Sequence, residues 1–153
     1  MIPSTVERVP QNTSDFVNEA IRRRTEENVA RYAAAGNGAI ERRLAELDRE
    51  WDIERLLETN ASIACLVGVT LGASVDRKWF LLPAAVAGFL LQHAVQGWCP
   101  PIPIFRRLGV RTASEIDYER YALKAVRGDF RHLNGKGRRG ADGAHNALEA
   151  ARS

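Results

Sequence analysis

The sequence predicts an all-α membrane protein: a hairpin of two transmembrane helices, with charged amphipathic helices before it and a short helix after it. Three observations carry that expectation. Charge is segregated along the 153 residues: 1–58 hold nine Arg and twelve acids, 59–105 hold only Asp76, Arg77 and Lys78, and 106–153 hold eleven basic and six acidic residues. The middle contains two charge-free runs, Thr59–Val75 and Trp79–Phe105, long enough to compare with the ~20 residues a helix needs to span a bilayer. Helices apolar on every side need a large core or lipid around them, and the remaining, mostly charged residues are too few to supply the core.

The elements follow in chain order. Asn12, Thr13 and Ser14 are N-cap candidates for a first helix that runs to Ala33-Ala34-Ala35 and stops at Gly36-Asn37-Gly38. Phe16, Val17, Ala20 and Ile21 give it a short apolar stripe. A second helix carries Ile40, Leu44, Leu47 and Trp51 on one side, at spacings of four, three and four. With no Pro or Gly between Ala39 and Gly68, it is expected to run unbroken into the first span. That stripe fits either the bilayer surface or another helix, and its many acidic neighbours favour docking on a helix of this or another chain. The Arg22-Arg23-Arg24 run reads as a solvated face or a lipid-headgroup contact.

The first span, Thr59–Val75, is near the lower length limit and rich in small residues. The second, Trp79–Trp98, has a Trp at each end, where aromatic belts lie. Pro83 within it is expected to bend the helix. Pro100, Pro101 and Pro103 predict an extended, stiff exit. Ser114 with Asp117 marks a last helix reaching about Gly128. The expected divisions are a cytoplasmic helical segment 12–58, a two-span hairpin 59–99, an exit with a short helix 100–133 and a flexible basic tail 134–153. Arginines flank the outer ends (Arg42, Arg43, Arg49, Arg55; Arg106, Arg107, Arg111, Arg120) and outnumber Arg77 and Lys78 in the turn. The positive-inside bias therefore puts both termini in the cytoplasm. No signal peptide is expected, because the first 58 residues lack an apolar core.

Several classes drop out. Two cysteines cannot staple a fold, the apolar middle rules out wholesale disorder, and the modest basic excess lacks a nucleic-acid-binding context. No phosphate-binding glycine loop, nucleophile elbow or paired intramembrane carboxylates occur. His93, His132, His145, Cys65 and Cys99 lack metal-ligand spacing, so neither metal nor cofactor is expected. Cys99 is the candidate reactive thiol, at the membrane boundary beside Arg106 and Arg107, whose field would lower its pKa. Its rival reading is an inert packed thiol; Cys65 reads as a packing residue. Two rows at fourfold spacing, Ala64-Gly68-Gly72 and Ala84-Gly88-Gln92-Gln96, suit close helix packing within the hairpin or a dimer. His93 would make a weak proton relay, since neither span offers it a carboxylate.

The segment from Trp51-Asp52-Ile53-Glu54-Arg55 through a small-residue helix, a charged turn and a Trp-led helix to Gly97-Trp98-Cys99-Pro100 resembles the YgaP-like transmembrane domain family. The resemblance covers roughly Trp51 to Thr112. It implies a two-helix module of the bacterial inner membrane, dimeric, without a settled activity. The chain departs from the family's founding member in having no rhodanese domain and in carrying a long charged N-terminal segment, so sulfur transfer does not carry over. The expected function is a non-enzymatic anchor or accessory subunit, with the bilayer, a second copy or a larger membrane complex as partners and no nucleic acid. The alternatives are a thiol-dependent relay or redox role at Cys99, an oligomeric transporter component, and a soluble helical regulator.

Overall fold

The computed structural model describes Ser4 and residues 6–131; the basic stretch from Asn134, with His132 and His145, lies outside the described residues. All regular structure among them is helical: α1 (Arg8–Gln11), α2 (Asp15–Ala35), α3 (Asn37–Leu47), α4 (Ile53–Ser74), a 3-10 turn (Arg77–Phe80), α5 (Leu81–Gln96), α6 (Ile102–Arg107) and α7 (Ala113–Arg127). The chain divides into two compact units. One comprises the described residues up to Arg23 with Trp51–Ile116, the other Arg24–Glu50 with the described residues from Asp117 onward.

In the first unit α4 and α5 pack against each other. Both are long and apolar enough to cross a membrane, α5 together with its 3-10 turn. The contact is close because α4 offers glycine where α5 approaches. A Cβ at Gly68 would stand 2.5 Å from Pro83 Cδ, and one at Gly72 would stand 3.0 Å from the Phe80 ring. Asp76 begins the turn by accepting the Lys78 N–H at 2.8 Å. Pro83 falls in the first turn of α5, where a missing N–H costs little.

The helix expected to run from Ala39 into the first span is broken. α3 stops at Leu47, and α4 begins afresh at Ile53, with Asp52 accepting the Arg55 N–H at 2.8 Å. Neither Pro nor Gly makes this break. A side-chain cap competes with continued helix, because a short acceptor satisfies an N–H that the helix would otherwise satisfy. The exit after α5 also differs from expectation. Gly97 ends α5 in the left-handed conformation (φ 76°), and Pro101 and Pro103 open α6 rather than an extended strand. Proline in a first turn loses no hydrogen bond and arrives with its φ already set.

The second unit holds the expected stripe. Ile40, Leu44 and Leu47 of α3 are buried, as is Leu123 of α7. Arg43 pairs with Glu119, which is fully buried, at 2.8 Å, and with Glu46 at 2.9 Å. Burial works against the Arg43 charge, but these hydrogen bonds outweigh it and raise the pKa. Arg120 reaches Asp48 at 3.1 Å, and the Tyr121 and Phe130 rings lie 6.5 Å apart.

Candidate functional site

The residues that could do chemistry gather in the first unit, where α4 begins and α5 ends. Glu54 lies in the first turn of α4, and His93 in the last turn of α5. Because the helices pack side by side, these two ends meet: His93 Nε2 lies 2.7 Å from Glu54 Oε2. The other Glu54 oxygen accepts from Arg8 Nη2 at 2.9 Å, and Arg8 Nη1 reaches the Ala94 carbonyl at 3.3 Å. Which atom donates in the His93–Glu54 contact follows from the imidazole tautomer. His93 Nδ1 and Arg8 Nε are buried without a hydrogen-bond partner.

Helix α1 is strapped onto this end. Asn12 Nδ2 donates to the Gln96 carbonyl at 2.9 Å. Val9, 2% exposed, completes a core with Ile53, Leu57, Cys99 and Ile102, against which Phe105 and Val110 pack. Gly97 is required twice over. Its φ is left-handed, and a Cβ there would stand 2.4 Å from the Arg8 carbonyl oxygen.

Arg106, 1% exposed, forms a second buried knot. It donates to Glu115 at 2.6 and 2.8 Å, to Asn18 Oδ1 at 2.9 Å, to the Val110 carbonyl at 3.1 Å and to Thr13 Oγ1 at 3.3 Å. Glu115 also accepts the Thr112 N–H at 2.8 Å, while the Glu115 N–H meets Thr112 Oγ1 at 3.3 Å. That reciprocal capping box starts α7, so the start signal is Thr112 with Glu115 rather than Ser114 with Asp117. Burial by itself would raise the Glu115 pKa. The Arg106 hydrogen bonds, the Thr112 N–H and the Arg106 charge reverse this and hold the carboxyl below its usual range.

These contacts revise the reading of Cys99. It is 5% exposed, and burial pushes its thiol pKa up. Arg106, one of the two arginines expected to activate it, is turned to Glu115. A thiol that is buried and harder to ionise is the opposite of a reactive one. Cys65 is half-buried, and both cysteines are free. Among the described residues no group of His, Cys, Asp and Glu could hold a metal ion.

The two small-residue rows have different placements. Gly68 and Gly72 face α5, and Ala64 lines a groove between the helices. Ala84, Gly88 and Gln96 are exposed and Gln92 is half-buried, with open space around Gly88. The partner-docking stripe is not available to a partner: Ile40, Leu44 and Leu47 are covered within this chain. Trp51, beyond the end of α3, is 43% exposed with Arg55 stacked 4.3 Å over its ring.

The expectation that His93 lacks a carboxylate is corrected. Glu54 lies outside the charge-free run, and only the antiparallel pairing of the helices brings it to His93. No family model, curated protein or solved structure matches this chain.

Proposed function

We propose that this protein is a multi-pass inner-membrane protein of bacteria, anchored by α4 and α5 as a transmembrane hairpin, with both termini cytoplasmic. One observation carries the reading. Only 17% of the apolar window in α4, and 6% of that in α5 and its turn, is buried inside the chain. Two adjacent core helices of a soluble protein would be mostly covered. Here Ile63, Leu66, Val69, Leu81, Leu91 and Val95 all face outward, an arrangement stable in hydrocarbon and costly in water. Trp51 at one end and Trp79 and Phe80 at the other are likewise exposed, at the levels where aromatic side chains meet headgroups. The Glu54–His93 contact supports a hairpin with both outer ends on one side, and the arginine bias favours the cytoplasm for that side.

Within the membrane the protein acts as a non-enzymatic anchor or accessory subunit, in keeping with its resemblance to the YgaP-like module. With the α3 stripe buried, Tyr118, Tyr121 and Val126 of α7 are, with Val6, Phe16, Ile104 and Leu108, among the exposed apolar residues open to a cytoplasmic partner. The open row Ala84-Gly88-Gln92 is available to a second copy in the bilayer. A second reading, an oligomeric transport component, is favoured by the His93–Glu54 pair at the end of a span.

Alkaline carbonate extraction of membranes, followed by affinity purification in mild detergent, tests the first reading. Retention in the pellet with a stoichiometric partner supports it. Release into the supernatant overturns the membrane assignment, and a solitary monomer overturns the accessory role. Proton flux in reconstituted vesicles that H93N abolishes would instead favour the second reading.

A further inference from the structure

A groove of about 370 Å³ lies between α4 and α5, at the end where Glu54 meets His93. Its volume is in the range of ~300–1,000 Å³ typical of small-ligand sites. Leu57, Ala61 and Ala64 form one wall, Val86, Phe89 and Leu90 the other, and Cys99–Pro101 pass across the end. The groove is deepest at Leu57 and Cys99, which are 3% and 5% exposed, and open at Phe89, which is 41% exposed.

We propose that this groove holds one acyl chain of a membrane phospholipid, tucked beneath Cys99–Pro101. The proposal rests on the membrane reading of α4 and α5, since the groove opens on their lipid-facing side. Apart from Asn60 at the rim and the Cys99 thiol, its walls are hydrocarbon, which gives a methylene chain something to pack against and a charged ligand no counter-charge. Its length excludes a helix as occupant. The wall from Leu57 to Ala64 rises only about 10 Å, whereas a partner helix needs a seam along most of the ~30 Å hydrocarbon core. The Cys99–Pro101 segment also closes the end through which such a helix would continue. Asn60, at the rim, donates one Nδ2 hydrogen to the Leu56 carbonyl at 2.8 Å, and its second Nδ2 hydrogen is the donor a lipid ester or phosphate oxygen would accept.

The test is photocrosslinking of the full chain in phosphatidylcholine vesicles that contain a trace of phospholipid with a diazirine on one acyl chain, the adducts being mapped by mass spectrometry. Groove residues such as Ala61, Ala64 and Val86 are expected to label about tenfold more than the lipid-facing Leu66, Val69 and Leu91, as a site preferred over bulk lipid requires. A64F, which fills the groove, should bring that labelling down to the level of the other residues and leave Leu66 and Leu91 unchanged. A61M should do the same, so that misfolding of one variant does not decide the result. Even labelling along both helices, or excess labelling that survives both variants, overturns the proposal while leaving the membrane reading intact. A groove shielded while Leu66 labels means that protein fills it, which overturns the proposal too. No adduct anywhere overturns both.

Discussion

Glu115→Ala takes away the carboxylate that neutralises a guanidinium with no exposed side-chain surface; Glu115 itself is 23% exposed. Breaking a buried ion pair by removing one partner costs about 3–5 kcal/mol, and the partial exposure of Glu115 places this pair near 3. The substitution also ends the capping box with Thr112, which adds about 1 kcal/mol. The Arg106 bonds to Asn18, Val110 and Thr13 remain and orient a charge that no longer has a counter-ion. A loss of about 4 kcal/mol corresponds to a fall in Tm of roughly 8–16 °C for a chain of this size.

Cys99 supplies the assay. It is buried in the core beside this knot, so in a Cys65→Ser background a thiol-reactive dye reports unfolding of the first unit during a thermal ramp in detergent. Glu115→Gln, which keeps the shape and removes the charge, should cost about half as much. Arg106→Met combined with Glu115→Ala should recover at least about 1.5 kcal/mol of coupling. The pH dependence carries a definite sign. The Glu115 pKa is lowered in the folded chain, so its stabilisation is fully present above the usual carboxylate pKa of about 4.3 and is lost as pH falls through the lowered folded value. Glu115→Gln should therefore flatten the acid side of the stability profile. Tm changes under about 3 °C for both single variants, or additive effects in the double variant, would refute the reasoning.

Three further outcomes follow from the packing. Gly97→Ala forces a Cβ into a left-handed conformation and against the Arg8 carbonyl, and should cost about 1–3 kcal/mol, measured as a lower Tm and faster dye labelling of Cys99 as α1 lifts. Gly68→Val should separate α4 from α5 and destabilise the chain, whereas a Cβ at Gly88 meets no atom within 4 Å, so Gly88→Val should leave the stability within about 0.5 kcal/mol of the parent. If Gly88→Val also leaves self-association in detergent unchanged by crosslinking, the row on α5 does not form a dimer seam. Glu54→Ala removes the shared acceptor of Arg8 and His93 and should cost about 2–3 kcal/mol, while Glu54→Gln, which still accepts from one of them, should cost less; equal losses would show that charge rather than hydrogen bonding holds α1 down.

By itself, the sequence determined what each segment had to be next to. Charge-free runs depend only on composition, so the two long apolar helices and the glycine stop at Gly36 were legible in the order of residues. The buried status of Ile40, Leu44 and Leu47 was legible as well, because an apolar face must be covered by something. The tertiary structure decided which partner covered it, and that partner belongs to this chain. It also decided every contact between residues far apart in sequence: Arg8 and His93 on Glu54, Thr13, Asn18 and Glu115 on Arg106, Val9 on Cys99. The Glu54–His93 contact depends on the register in which α4 meets α5, and Gly68 against Pro83 and Gly72 against Phe80 mark that register. Two local signals were present and were outweighed. Asp52 is a good cap within a segment that otherwise favours continued helix, and Thr112-x-x-Glu115 competes with Ser114-x-x-Asp117 two residues later. Spacing alone does not choose between such rivals. A buried arginine chooses here, because Arg106 needs a carboxylate at Glu115, and the capping box that starts α7 forms around that need.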